Sequence, residues 1–60
     1  MSQRALTAIK NALTVFPGLR VGQLIHNATH GADIFYTTDE DLALMIEDFI
    51  KAHGAPNAGA

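Results

Sequence analysis

The stretch between Thr38 and Gly54 restricts the fold more than any other part of the chain. Leu42, Met45, Ile46, Phe49 and Ile50 fall at i, i+3, i+4, i+7 and i+8, the spacing that gathers apolar side chains on one face of an α-helix. Glu47, Asp48 and Lys51 lie off that stripe. Thr38 followed by Asp41 has the spacing of a capping box, with aspartate in place of Glu or Gln, and Thr37 with Glu40 offers the same device one residue earlier. Asp39, Glu40 and Asp41 suit the positive end of the helix dipole. Gly54 stops the helix near His53, and Pro56 prevents its continuation. Such a helix must cover its apolar face. The rest of a 60-residue chain offers little cover, since domains of this size hide only about 60% of the surface their unfolded chains expose.

The first half of the chain supplies two further amphipathic segments. From about Gln3 to Thr14 or Val15, the apolar stripe is Leu6, Ile9, Leu13 and Phe16, widened by Ala5 and Ala12. Ser2 is placed to cap this helix, because its hydroxyl can accept one of the amide hydrogens that a first turn leaves without a partner. Phe16-Pro17-Gly18 ends it. From Leu19 to about Thr29 the apolar positions are Val21, Leu24, Ile25 and Ala28. Gly22 costs about 1 kcal/mol relative to alanine in a helix interior, unless its missing side chain lets another helix approach. Gly31 is placed to terminate the segment. Residues 3–29 therefore read as a helical hairpin.

Residues 33–37 have a different character. Ile34, Phe35, Tyr36 and Thr37 favour extended backbone. Two arrangements satisfy them: pairing as a short strand with a second chain, or an extended linker whose aromatic rings cover the hairpin. The expected fold is all-α, a compact three-helix domain over residues 1–53 with a short extended or strand-like segment at 34–36. Residues 54–60 carry no large apolar anchor and read as a flexible C-terminal tail.

Composition narrows the classes. Hydrophobic residues make up 48% and charged residues 17%, which argues against disorder of the whole chain. There is no cysteine, so neither a disulfide nor a thiolate metal site staples the fold. No apolar run approaches the roughly 20 residues that span a bilayer. The opening pattern lacks the apolar core of a secretory signal, and the expected location is the cytoplasm. Residues 1–30 hold Arg4, Lys10 and Arg20 and no acid, a charge of +3. Residues 31–60 hold six acids and Lys51, a charge of −5. Halves of opposite sign attract within one molecule or between two.

Candidate chemistry is sparse. His26 and His30 are four apart and project from one side if a helix runs through both. With Asp33 and His53 they form a metal-ligand candidate set, but the pattern has no His-Glu-x-x-His arrangement to support it. Imidazoles also serve as acids and bases near neutrality. Catalysis would need a positioned nucleophile or substrate, and no nucleophile elbow is present. No catalytic residue and no cofactor is implied. Arg20, Gln23, Asn27 and His30 are the candidate polar-contact residues of the second segment. Phe16, Leu24, Ile25, Phe35, Tyr36, Leu42, Met45, Ile46, Phe49 and Ile50 are the candidate core or interface residues.

Arg20-x-Gly22-Gln23-Leu24-Ile25-x-Asn27-Ala28, followed by Asp33-x-Phe35-Tyr36 and the acidic entry into Leu42, resembles a segment of small uncharacterised bacterial proteins. The resemblance covers roughly residues 17–50. It implies a compact helical unit and brings no activity or ligand residue with it. The residues favour a homodimeric protein-interaction or structural module, with itself or another protein as partner and no membrane. The alternative is a helix-turn-helix-like nucleic-acid-binding or transcription-regulatory protein, in which Arg20, Gln23 and Asn27 of the second segment, with His26 and His30, could touch phosphates or base edges. Four Lys and Arg against six acids weigh against that alternative, because phosphate neutralisation supplies much of nucleic-acid affinity.

Overall fold

Two hydroxyl caps start the longer helices. Ser2 Oγ accepts the Ala5 N–H at 3.2 Å, and Thr38 Oγ1 accepts the Asp41 N–H at 3.1 Å. Each satisfies an amide that the first helical turn cannot. The computed structural model describes residues 2–54, where these caps open α1 (Gln3–Val15) and α3 (Asp39–His53), with α2 (Val21–Ala28) between them. The described residues contain no strand, and the fold is all-α with three helices. Beyond Gly54, the tail expected from the sequence lies outside the described residues.

Helices α1 and α3 lie side by side in the same direction. At one end the Ser2 N–H donates to Asp39 Oδ2 at 2.6 Å. Arg4 reaches from α1 to two carboxylates of α3, with Nη1 on Glu40 Oε1 and Nη2 on Glu47 Oε1, each at 2.9 Å. At the other end the ring centroids of Phe16 and Phe49 are 5.2 Å apart. Part of the charge difference between the halves of the sequence is thus used inside one molecule.

The buried face of α1 differs from the expected stripe. Its centre is Ala5, Ala8 and Ala12, whereas Leu6 is 49% exposed. Ile9 and Leu13 are half-buried and flank the alanines. Opposite them, α3 buries Leu42, Ala43 and Ile46, and α2 closes the core with Leu24 and Ala28. Small residues at the centre let the helices approach, and the larger ones wrap the sides of the contact. Met45, Phe49, Ile50, Ile25 and Phe16 are half-buried around this core.

Two glycines behave differently from each other. A Cβ on Gly54 would fall 2.5 Å from Val15 Cγ1 and 2.8 Å from Phe16 Cζ. The end of α3 therefore touches the end of α1, and a side chain there would push them apart. Gly22, by contrast, has nothing within 4 Å of where a Cβ would stand. It does not admit a neighbouring helix, as the sequence allowed.

The segment around residues 34–36 is a turn, neither a strand nor a cover for the hairpin. The Thr37 N–H donates to the Ile34 carbonyl at 3.0 Å. Asp33 Oδ1 accepts the Phe35 N–H at 3.0 Å, the local side-chain bond by which aspartate shapes a turn. β-Propensity lost here to this local pairing, because no second strand is present to reward extension.

Two substitutions test this packing by chemical denaturation. Ala12→Leu should lower stability by about 1–3 kcal/mol through overpacking of the α1–α3 contact. Gly22→Ala should raise it by about 0.5–1 kcal/mol, since alanine is the better helix former and meets nothing.

Candidate functional site

The turn at residues 34–37 presents Phe35 and Tyr36 at its corner. They are 79% and 89% exposed. Their rings meet edge to face, with centroids 4.8 Å apart and planes at 83°, a geometry the aromatic quadrupole favours. Turn corners usually carry Gly, Pro, Asn or Asp. Two large rings there leave apolar surface in water. Neither ring is part of the core.

A second surface is concave. The end of α1, the linker to α2, the last turns of α2 and the last turns of α3 border a shallow, open groove of about 690 Å³, lined by Phe16, Leu19, His26, Asn27, His30, Phe49 and His53. Its floor is an aromatic ladder. Phe16 stacks obliquely on Phe49, and the Phe49 ring lies 4.8 Å from the His53 imidazole. A smaller hollow of about 310 Å³ lies alongside, sharing His30, Phe49 and His53 and adding Ala28, Met45, Asp48 and Ala52.

The geometry of α2 explains how His26 and His30 reach this groove. The helix ends at Ala28 and does not run through both histidines. The His30 N–H donates to the Asn27 carbonyl at 3.3 Å, and the Gly31 N–H donates to the His26 carbonyl at 2.8 Å. This is the Schellman pattern, which satisfies carbonyls at a helix end through left-handed residues. His30 itself takes φ 57°, and Gly31 takes φ 76°. The chain thus reverses at His30, where glycine is usual, and Gly31 comes within reach of the His26 ring. A Cβ on Gly31 would stand 3.2 Å from His26 Cε1. Buried Thr29 closes the same turn by donating from its hydroxyl to the Ile25 carbonyl at 2.8 Å.

The candidate residues divide between two ends of α2. Asn27 and His30 stand in the groove wall with His26 and His53. Arg20 and Gln23 stand at the opposite end, where Gln23 Oε1 accepts the Arg20 N–H at 2.9 Å. Gln23 therefore caps its own helix. Asp33, the remaining metal-ligand candidate, bonds to the Phe35 amide. Among the described residues, no three or more His, Asp or Glu side chains are gathered so as to hold a metal ion. No helix among them is long and apolar enough to cross a membrane. The sequence reading missed the groove as a unit. Phe16-Pro17-Gly18-Leu19 was visible as a helix stop, but nothing local shows that this stop lies against the end of α3.

Searches of protein family models, curated proteins and solved structures return no match to this chain.

The turn at the end of α2 makes a paired prediction for unfolding experiments. His30→Gly should stabilise the protein by about 0.5–1 kcal/mol, because a left-handed residue with a side chain carries strain that glycine lacks. Gly31→Ala should destabilise it by about 1 kcal/mol or more, since it adds that strain and presses on His26.

Proposed function

We propose that the chain is a homodimeric protein-interaction module. The observation that carries this reading is the Phe35–Tyr36 pair, fixed at the corner of a hydrogen-bonded turn with both rings exposed. Aromatic anchors on a pre-shaped element are the usual centre of a binding surface, because a small number of buried rings supply most of the energy. A rigid turn also lowers the ordering cost of association. The small core supports the same reading. Four of its seven clustered residues are alanines, Ala8, Ala12, Ala28 and Ala43, so burial between subunits would add materially to burial within one.

The nucleic-acid reading has less behind it. Arg4 is held by two carboxylates of α3, and from Arg20 to His30 the only Lys or Arg is Arg20. Too few cations remain on that face for phosphate contacts to supply much affinity.

Light scattering after size separation, across a concentration series, tests the proposal. The expected result is twice the mass of one chain, reached at micromolar concentration. The double variant Phe35→Ala/Tyr36→Ala should give the mass of one chain with its helical circular dichroism intact, because neither ring supports the core. A folded single chain at every concentration of the wild-type protein would overturn the homodimer and leave a different partner as occupant of the aromatic turn.

A further inference from the structure

We infer, resting on the dimer reading above, that the Phe35–Tyr36 turn of one copy seats in the histidine-rimmed groove of the other, and the reverse. The two surfaces are complementary in shape: one projects two rings, and the other is an open concavity with an aromatic and aliphatic base of Phe16, Leu19 and Phe49. They are also complementary in polarity. The groove is lined by all three histidines of the chain and by no carboxylate. The turn is bounded by Asp33 before it and Asp39, Glu40 and Asp41 after it; Asp39 accepts the Ser2 amide and Glu40 pairs with Arg4 within the chain, so Asp33 and Asp41 are the acceptors the turn offers. Imidazole N–H groups and the Asn27 amide are donors, and carboxylates are acceptors. Asp48 lines the neighbouring hollow, which shares His30, Phe49 and His53 with the groove.

Area and symmetry agree with this seating. Phe35 and Tyr36, 79% and 89% exposed as residues, offer roughly 300 Å² between them. With the groove walls losing a similar area and the contact made twice, the interface totals roughly 1,200 Å², the lower end of what stable complexes bury. A single contact would bury half of that and fall in the range of incidental packing. Turn-into-groove contacts made in one direction only would propagate from copy to copy, whereas a two-fold axis closes the pair. A turn-against-turn dimer would instead bring Asp33 and the Asp39–Asp41 run of two copies together, with like charges apposed.

Isotope-filtered nuclear Overhauser spectroscopy on a mixture of labelled and unlabelled wild-type protein tests the seating without mutation. The expected signals run between subunits, from the Phe35 and Tyr36 rings to the Leu19 methyls and the Phe49 ring. In parallel, Asn27→Glu places a carboxylate in the exposed groove wall, opposite the acidic flanks of the turn. It should weaken dimerisation by about tenfold or more, read as Kd by sedimentation, with unchanged helical circular dichroism. A dimeric mass with intersubunit signals between the two aromatic turns, or from another surface, would overturn the seating and leave the dimer standing. So would an unchanged Kd for Asn27→Glu. A single-chain mass for the wild-type protein at every concentration would overturn both the seating and the dimer.

Discussion

The close parallel contact between α1 and α3 is the constraint on which the rest of the molecule depends. It is made possible by alanines, chiefly Ala8 and Ala12 against Ala43, because side chains any larger would hold the helices apart. Parallel neighbours have a topological cost. The chain leaves α1 at the end where α3 finishes and must travel back before α3 can begin. A helix of 13 residues is roughly 20 Å long. Helix α2 does not make that return, because Leu19 before it and His30 after it both line the groove beside Phe49 and His53 at the end of α3. The linker after Gly31 makes it and is not helical. Phe35 and Tyr36 belong to that linker, and it is the return path, not local propensity, that holds them away from the core.

Parallel pairing also sets an electrostatic problem. The positive ends of two helix dipoles lie side by side. Helix α1 has no acid in its own first turn, while α3 has Asp39, Glu40 and Asp41. The α3 acids serve both helices. Asp39 accepts the Ser2 amide, and Glu40 holds Arg4. Arg4 would be misplaced beside the positive end of α1 without the two carboxylates that face it. These pairs are exposed, so each adds little to stability. Their value is in register, because they fix which turn of α1 meets which turn of α3. At the far end Lys51 and His53 stand in the last turn of α3, on the favourable side of its dipole.

Legibility in the sequence followed from how local each determinant was. The caps at Ser2 and Thr38 and the stops at Phe16-Pro17 and Gly54 depend on neighbours a few residues away, and the helices begin and end where those residues predict. The buried face of α1 was less legible. Periodicity weights large apolar residues, and Leu6, Ile9 and Leu13 drew the stripe towards themselves. Close packing is centred instead on the smallest residues, and no single-helix pattern shows which side faces a partner. Residues 34–36 were misread because β-propensity competes with a turn bond from Asp33, and the latter does not require a second strand. The spacing of His26 and His30 implied a common helical face. The two do line one groove, but they reach it through a left-handed reversal that places a non-glycine residue where glycine is usual.

The groove and the helix ends are the same feature seen from two sides. Gly54 lets α3 finish against Val15 and Phe16. That contact lays Phe16 on Phe49 and Phe49 on His53, which forms the groove floor. Pro17 and Gly18 then turn the chain so that Leu19 enters the wall, and the reversal at His30 completes the rim. A side chain at Gly54 would separate the ends of α1 and α3, and Phe49 packs against the buried cluster, so the groove floor is continuous with the contact between those helices. What the fold leaves at one end is a shallow apolar seat bordered by hydrogen-bond donors, and along its return path an aromatic projection bordered by acceptors. In the dimer we propose, each of these two surfaces is buried against the other in a second copy.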